Sequence, residues 1–204
     1  MPPDGLRTTI DGPDGRPMET LADLLRPGLA VVSIGLNPSL PSVQRGFYFA
    51  NPVNRFWKAM QASRLGGRPL EPGVEAIRWL YEVRGIGFTD VVKRPTAGSA
   101  DLRAADFRYW APRLLEKLER CRPGVAWFHG RVAWNRFAKA VGLSFSNDHW
   151  GLQQETVAGL PVFVSPNPSP ANAAFSLDDL VRCYDELAAL SGLEQAHWRR
   201  KKGP

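Results

Sequence analysis

Cysteine is scarce in this chain. Its 204 residues hold two, Cys121 and Cys183, far apart and without a Cys-x-x-Cys partner. Two thiols cannot supply the four of a cysteine-only zinc site or iron–sulfur cluster, so both read as core or surface thiols. Histidine is nearly as rare, with three, and no spacing suggests a metal site. No metal and no cofactor are expected. No apolar run approaches 18 residues, so no membrane-spanning helix is expected. The N-terminus lacks a basic-then-apolar leader, which makes a cytoplasmic location the expectation. No glycine-rich phosphate fingerprint follows a strand, and no repeat or second domain is visible.

What is present describes a globular chain. Apolar residues make up 44%, and the length suits one domain with a substantial core. The net charge is +6 and the pI is about 9.7. That balance suits a polyanionic partner, bound more weakly as salt rises.

The chain divides into an N-terminal arm over 1–19, one domain over 20–190 and a basic C-terminal tail over 191–204. The arm is rich in Pro, Gly, Asp and Thr and lacks periodicity, so it reads as mobile. A short helix is expected over Thr20–Leu25, stopped by Pro27-Gly28. Apolar runs near Val31–Leu36, Ile86–Val92, Gly124–His129 and Leu160–Val164 read as strands. Helical patterns begin near Asn54, Pro72, Ser99, Arg131 and Asp178. The alternation implies an α/β fold: a three-layer sandwich with a parallel-dominated central sheet and helices on both faces.

Three stretches carry chemistry. The first strand stops at Gly35-Leu36-Asn37-Pro38-Ser39. Gly35 permits close approach to the backbone, and Pro38 biases Asn37 toward an extended conformation. A polar amide there sits where open α/β sheets place ligands. The aromatic loop Phe47-Tyr48-Phe49 and the helix start Asn54-Arg55-Phe56-Trp57-Lys58 follow. The second stretch runs from Gly85 to Thr96 and carries one carboxylate, Asp90, inside an apolar strand, before Arg94-Pro95-Thr96. The third is Ser165-Pro166-Asn167-Pro168-Ser169-Pro170, at the end of the last strand.

GLNPS, FYFANP and NRFWK, in this order and spacing, resemble the mismatch-specific uracil-DNA glycosylases and their thymine-DNA glycosylase relatives. The likeness spans about residues 20–190, with RPT and a WGxQ-like segment near Trp150 in place. It implies removal of uracil, and of other damaged bases, from double-stranded DNA by a cytoplasmic, nucleoid-associated monomer of the uracil-DNA glycosylase fold. The scarcity of cysteine separates it from the iron–sulfur branches.

By that resemblance Asn37 is the catalytic amide and Phe49 stacks on the flipped base, a contact worth roughly 1–3 kcal/mol. Gly35, Leu36 and Ser42 lie along the base, and Asn167 stands where the most active relatives have histidine. An amide cannot take a full proton at neutral pH. Asp90 is therefore the second catalytic candidate, as general base or as a charge that stabilises a cationic sugar. The alternative is a structural pairing with Lys93, Arg94 or a helix N-terminus. Ser169, Pro170, Ala171 and Asn172 form the loop expected to enter the duplex, with Asn172 able to reach the orphan base. The Gly-Leu wedge and arginine of the bacterial relatives are absent here. His129, at a strand end beside glycine, reads as structural. The rival readings are a lesion-binding module of this fold that does not cut, and an α/β enzyme acting on a small nucleotide.

Overall fold

The computed structural model describes residues 5–146 and 149–193. The chain runs β1 (Arg7–Asp11), β2 (Pro17–Leu21), β3 (Val31–Gly35), α1 (Leu40–Arg45), α2 (Phe56–Ala62), α3 (Val74–Glu82) and β4 (Ile86–Asp90). It continues through α4 (Ala104–Cys121), β5 (Val125–His129), α5 (Arg131–Ala140), β6 (Gly151–Val157), β7 (Leu160–Ser165) and α6 (Leu177–Leu190). Five strands form one sheet in the order β4-β3-β5-β7-β6, parallel except for β6. The α/β architecture expected from the sequence is the one observed.

Strands β3, β4 and β5 are buried along their whole length, as expected for a parallel sheet covered on both sides. Successive side chains alternate between two cores. Val31, Phe88, Trp127 and Phe163 pack with α2, α3 and α6 on one face. Val32, Ile34, Phe128 and Val164 pack with α4 and α5 on the other. The chain leaves β3 toward β4 on one side, while β5 lies on its other side. The carboxyl ends of β3 and β5 therefore flank a topological switch point, where a crevice opens.

The N-terminal segment differs from the mobile arm expected. Residues Arg7–Asp11 pair antiparallel with Pro17–Leu21 in a hairpin. The turn residues Gly12-Pro13-Asp14-Gly15 were its signal, and the alternating exposure of Thr8, Ile10 and Met18 its period. The short helix over Thr20–Leu25 is replaced by the end of β2 and a bridge from Leu24 to Phe88. Thr20 does not cap a helix; its hydroxyl donates to the Lys93 carbonyl at 2.7 Å. Two further elements, α1 and β6, lie where no element is expected. Ser39 caps α1, and Gly46 closes it in the left-handed region at φ 73°. Of the basic tail expected from residue 191, residues 194–204, His197 included, lie outside the described residues.

Phe56 sits at the centre of the first core. Its ring stacks on Phe49 at 3.9 Å and meets Trp57, Phe88, Trp127, His129 and Tyr184. Phe56→Ala is expected to lower unfolding free energy by about 3–5 kcal/mol in urea denaturation.

Candidate active site

A cavity of about 460 Å³ opens at the carboxyl ends of β3, β4 and β5, a size suited to a small planar ligand. Gly35, Leu36, Asn37, Ser42, Phe49, Asp90, Asn167, Ser169, Pro170 and Ala171 all line it. The structure thus gathers ten of the eleven site residues read from the sequence. Asn172 does not line it. Its side-chain amide donates to the Asn167 carbonyl at 3.1 Å, and its carbonyl accepts from Arg55. In this structure it braces its own loop and does not reach outward to an opposite base.

Asn37 is held by the second motif. Its Nδ2 donates to the Arg94 carbonyl at 2.9 Å and to Thr96 Oγ1 at 2.8 Å, with a longer contact to the Pro38 carbonyl. Two carbonyl partners demand the NH2 at that position, so the amide orientation follows from the network. Oδ1 accepts no hydrogen bond among the described residues and is the atom left to receive a water. Arg94 is fixed in turn by a two-pronged pair with Asp106 at 2.8 and 2.9 Å. The roles of Arg94 and Thr96 come from their loop pairing with Ser39, a contact no local pattern signals.

Phe49 holds a positive φ of 57°, uncommon for a non-glycine residue and a form of local strain. One ring face stacks on Phe56 and an edge meets His129. The ring is half-buried and borders the cavity. Ser42 is tied up locally, bonding Ser39 Oγ at 2.9 Å and accepting from the Ala50 amide. Asn167 turns its Oδ1 to the Ser169 N–H at 2.8 Å. Its Nδ2 donates to no described residue, so it remains a donor toward the cavity.

Asp90 is 5% exposed, and its Oδ2 has no hydrogen-bond partner among the described residues. The nearest cation, Lys93 Nζ, lies 3.9 Å away. Burial pushes the Asp90 carboxyl up to about 7; Lys93 opposes the shift and Asp23 adds to it. The structural pairing considered for Asp90 is thus weak: Lys93 bonds Asp23 Oδ1 at 2.8 Å, and Arg94 bonds Asp106. The parallel register sets Gly35 opposite Asp90. A Cβ on Gly35 would collide with Asp90 Oδ1.

His129 also borders the cavity, which the sequence reading did not give it. Its Nε2 lies 2.8 Å from Ser33 Oγ, while Nδ1 is buried without a described partner. Burial lowers its pKa to about 3, so the ring is neutral and is no proton donor at neutral pH.

A family model described as the uracil DNA glycosylase superfamily matches residues 22–188. The chain belongs to the uracil DNA glycosylase superfamily. Its fold is similar to the solution NMR structure of a candidate uracil DNA glycosylase from Methanosarcina acetivorans. The two are 21% identical with a TM-score of 0.55, over 86% of this chain and 97% of that one. At that identity the likeness concerns the fold alone.

In this glycosylase the segment after β7 is held by one side chain that sequence reasoning missed. Arg55, just ahead of α2, donates to the carbonyls of Pro168, Ser169, Asn172 and Phe175. Its backbone N–H also donates to Pro168 at 3.0 Å. An arginine at the start of an amphipathic helix, without an acidic neighbour, was the available signal.

Two outcomes are expected. Gly35→Ala displaces the Asp90 carboxylate and lowers stability by about 1–3 kcal/mol in urea denaturation. The second concerns pH. Asp90 binds a proton in the folded state between its ordinary 3.8 and about 7, so folding stability falls as pH rises through that window. His129 is neutral when folded but protonates when unfolded below 6.5, so its contribution rises with pH and offsets the first. Asp90→Asn removes only the first contribution. Its stability relative to wild type should therefore climb from pH 4.5 to 8, measured by urea midpoints.

Proposed function

We propose that this chain is a monofunctional uracil-DNA glycosylase of the mismatch-specific type, acting as a monomer on duplex DNA and favouring uracil opposite guanine. The observation that carries this reading is the meeting of Asn37 and Asp90, just past and at adjacent strand ends, in one cavity roomy enough for a flipped nucleotide, beside the ring of Phe49.

The target base must leave the stack before its sugar carbon is reachable. The flipped pyrimidine stacks on Phe49, and Nδ2 of Asn167 donates to it. Asn37 Oδ1, its amide locked by Arg94 and Thr96, accepts from a water and aims it at the sugar. Ionised Asp90 takes one proton from that water as the new C–O bond forms. Its charge also favours the oxocarbenium-like sugar of the transition state. The C–N bond breaks, the electron pair leaves with the base, and the base takes up a proton. An abasic site remains. No lysine borders the cavity among the described residues, so a Schiff-base lyase step is not part of the proposal. The 168–175 segment is the candidate for entering the duplex, and etheno-cytosine is a further candidate substrate.

Single-turnover cleavage of labelled duplexes with U opposite G and U opposite A tests this reading. Wild type should cut, faster opposite G, with a rate that rises through about pH 7 as Asp90 ionises. Asn37→Ala and Asp90→Asn should each lose roughly 10²–10⁴-fold. Duplex binding without cleavage of any damaged base would overturn it in favour of a lesion-binding module.

A further inference from the structure

Beside Asp90 lies a row of charges, buried at Lys93 and half-buried at Asp23 and Lys117, that the reaction does not touch. Asp23, in the segment after β2, accepts from three donors. Thr89 Oγ1 and Lys93 Nζ reach its Oδ1 at 2.7 and 2.8 Å, and Lys117 Nζ reaches its Oδ2 at 2.7 Å. Lys93 is 4% exposed and lies between two carboxylates, 2.8 Å from Asp23 and 3.9 Å from Asp90. The contact with Asp23 is a hydrogen bond; the one with Asp90 exceeds hydrogen-bond range. Asp90 Oδ2 is left buried and without a partner. An isolated Asp–Lys pair three residues apart would close up, because an unpaired buried carboxylate is costly. The ammonium is instead drawn the other way.

We infer that Asp23 is a positioning residue for base excision: it holds Lys93 off Asp90, so that the cavity carboxylate stays unneutralised and able to take a proton from water. This rests on the reading of Asp90 as the general base. Lys117, on α4, holds the other oxygen of the half-buried Asp23, which keeps Lys93 as a partner and its charge without it. Asp23 is held down to about 2, where the two lysines outweigh the opposing effect of burial. The other groups around Asp90 are accounted for. Tyr48 donates its hydroxyl to the Ala22 carbonyl at 3.0 Å and is held neutral by burial, with Asp90 and Asp23 adding to the shift. His129, which borders the same cavity, is neutral. Gly35, on the paired strand, brings no charge. Lys93 is thus the one cation within salt-bridge distance of Asp90 among the described residues.

The test is the pH profile of single-turnover cleavage of a U:G duplex with full-length Asp23→Asn and Lys117→Met. Removing the Asp23 charge lets Lys93 close on Asp90 and also deletes a like charge. The midpoint of the acid limb should fall by about one to three pH units, as for a carboxylate gaining a close cation. The plateau rate should fall too, because a paired carboxylate is a weaker base. Lys117→Met removes a cation on the far side of Asp23, and its midpoint should rise. A residue that only supports the fold would lower the rate at every pH and leave the midpoint in place. The inference is overturned if Asp23→Asn folds, by circular dichroism, and its midpoint stays or rises. Should Asp23→Asn not fold, Lys117→Met decides: it overturns the inference if its midpoint stays or falls. Asp90→Asn separates the two levels. Retained cleavage in that variant removes the carboxylate from the mechanism. Lost cleavage there, with an unmoved midpoint in Asp23→Asn, removes only the role given to Asp23.

Discussion

The parallel register of β3 on β4 sets Gly35 opposite Asp90, with the carboxylate lying where a side chain at residue 35 would be. Much of the site hangs on that close approach. It lets a buried acid occupy the strand end without forcing the two strands apart. It also puts Asp90 two residues away, in register, from the amide of Asn37. The backbone ladder continues past the strand ends, through Val91 to Gly35 at 2.9 Å and Val92 to Leu36 at 3.0 Å. Asp90 is therefore placed on a packed strand, and Asn37, two residues past the end of β3, is fixed by the loop that carries Arg94 and Thr96.

The site keeps its polar groups incompletely satisfied, against the general rule for interiors. Asp90 Oδ2 and His129 Nδ1 are both buried without partners among the described residues. Asn37 Oδ1 and Asn167 Nδ2 are left open while the opposite end of each amide is tied down. Such arrangements are destabilising unless something else holds them, and here two aromatic-rich cores do so. The strained φ of Phe49 belongs to the same pattern, since its ring is clamped by Phe56.

Much of the sheet could be read in the sequence because its strands are short, apolar and bounded by Pro, Gly or Asn. Val31–Gly35 and Leu160–Ser165 are the clearest cases. The N-terminal hairpin was obscured because Gly12, Pro13, Asp14 and Gly15 look like a disordered composition and were in fact a turn between five-residue strands. Helix α1 is only six residues long, too short for a periodicity to declare itself. Strand β6 reads polar because its exposed edge alternates with its buried positions. The candidate site residues carried by motifs were legible as a group that shares one cavity. The residues bonded around that cavity from far along the chain were not. Asp23 meets Lys117 across 94 positions, and Arg55 meets the 168–175 segment across more than a hundred. Pairings at such separations are a property of the topology and leave no local trace.

The grip of Arg55 on four carbonyls of the 168–175 segment has a consequence for the energetics of encounter. A segment shaped by its own protein loses its conformational freedom when the chain folds. Little of that entropy remains to be surrendered when a duplex arrives. Under the proposed function, the free energy of association is then left for the nucleic acid, to unstack and turn out one nucleotide, and a weakly paired base, which resists least, gains most from so rigid a partner.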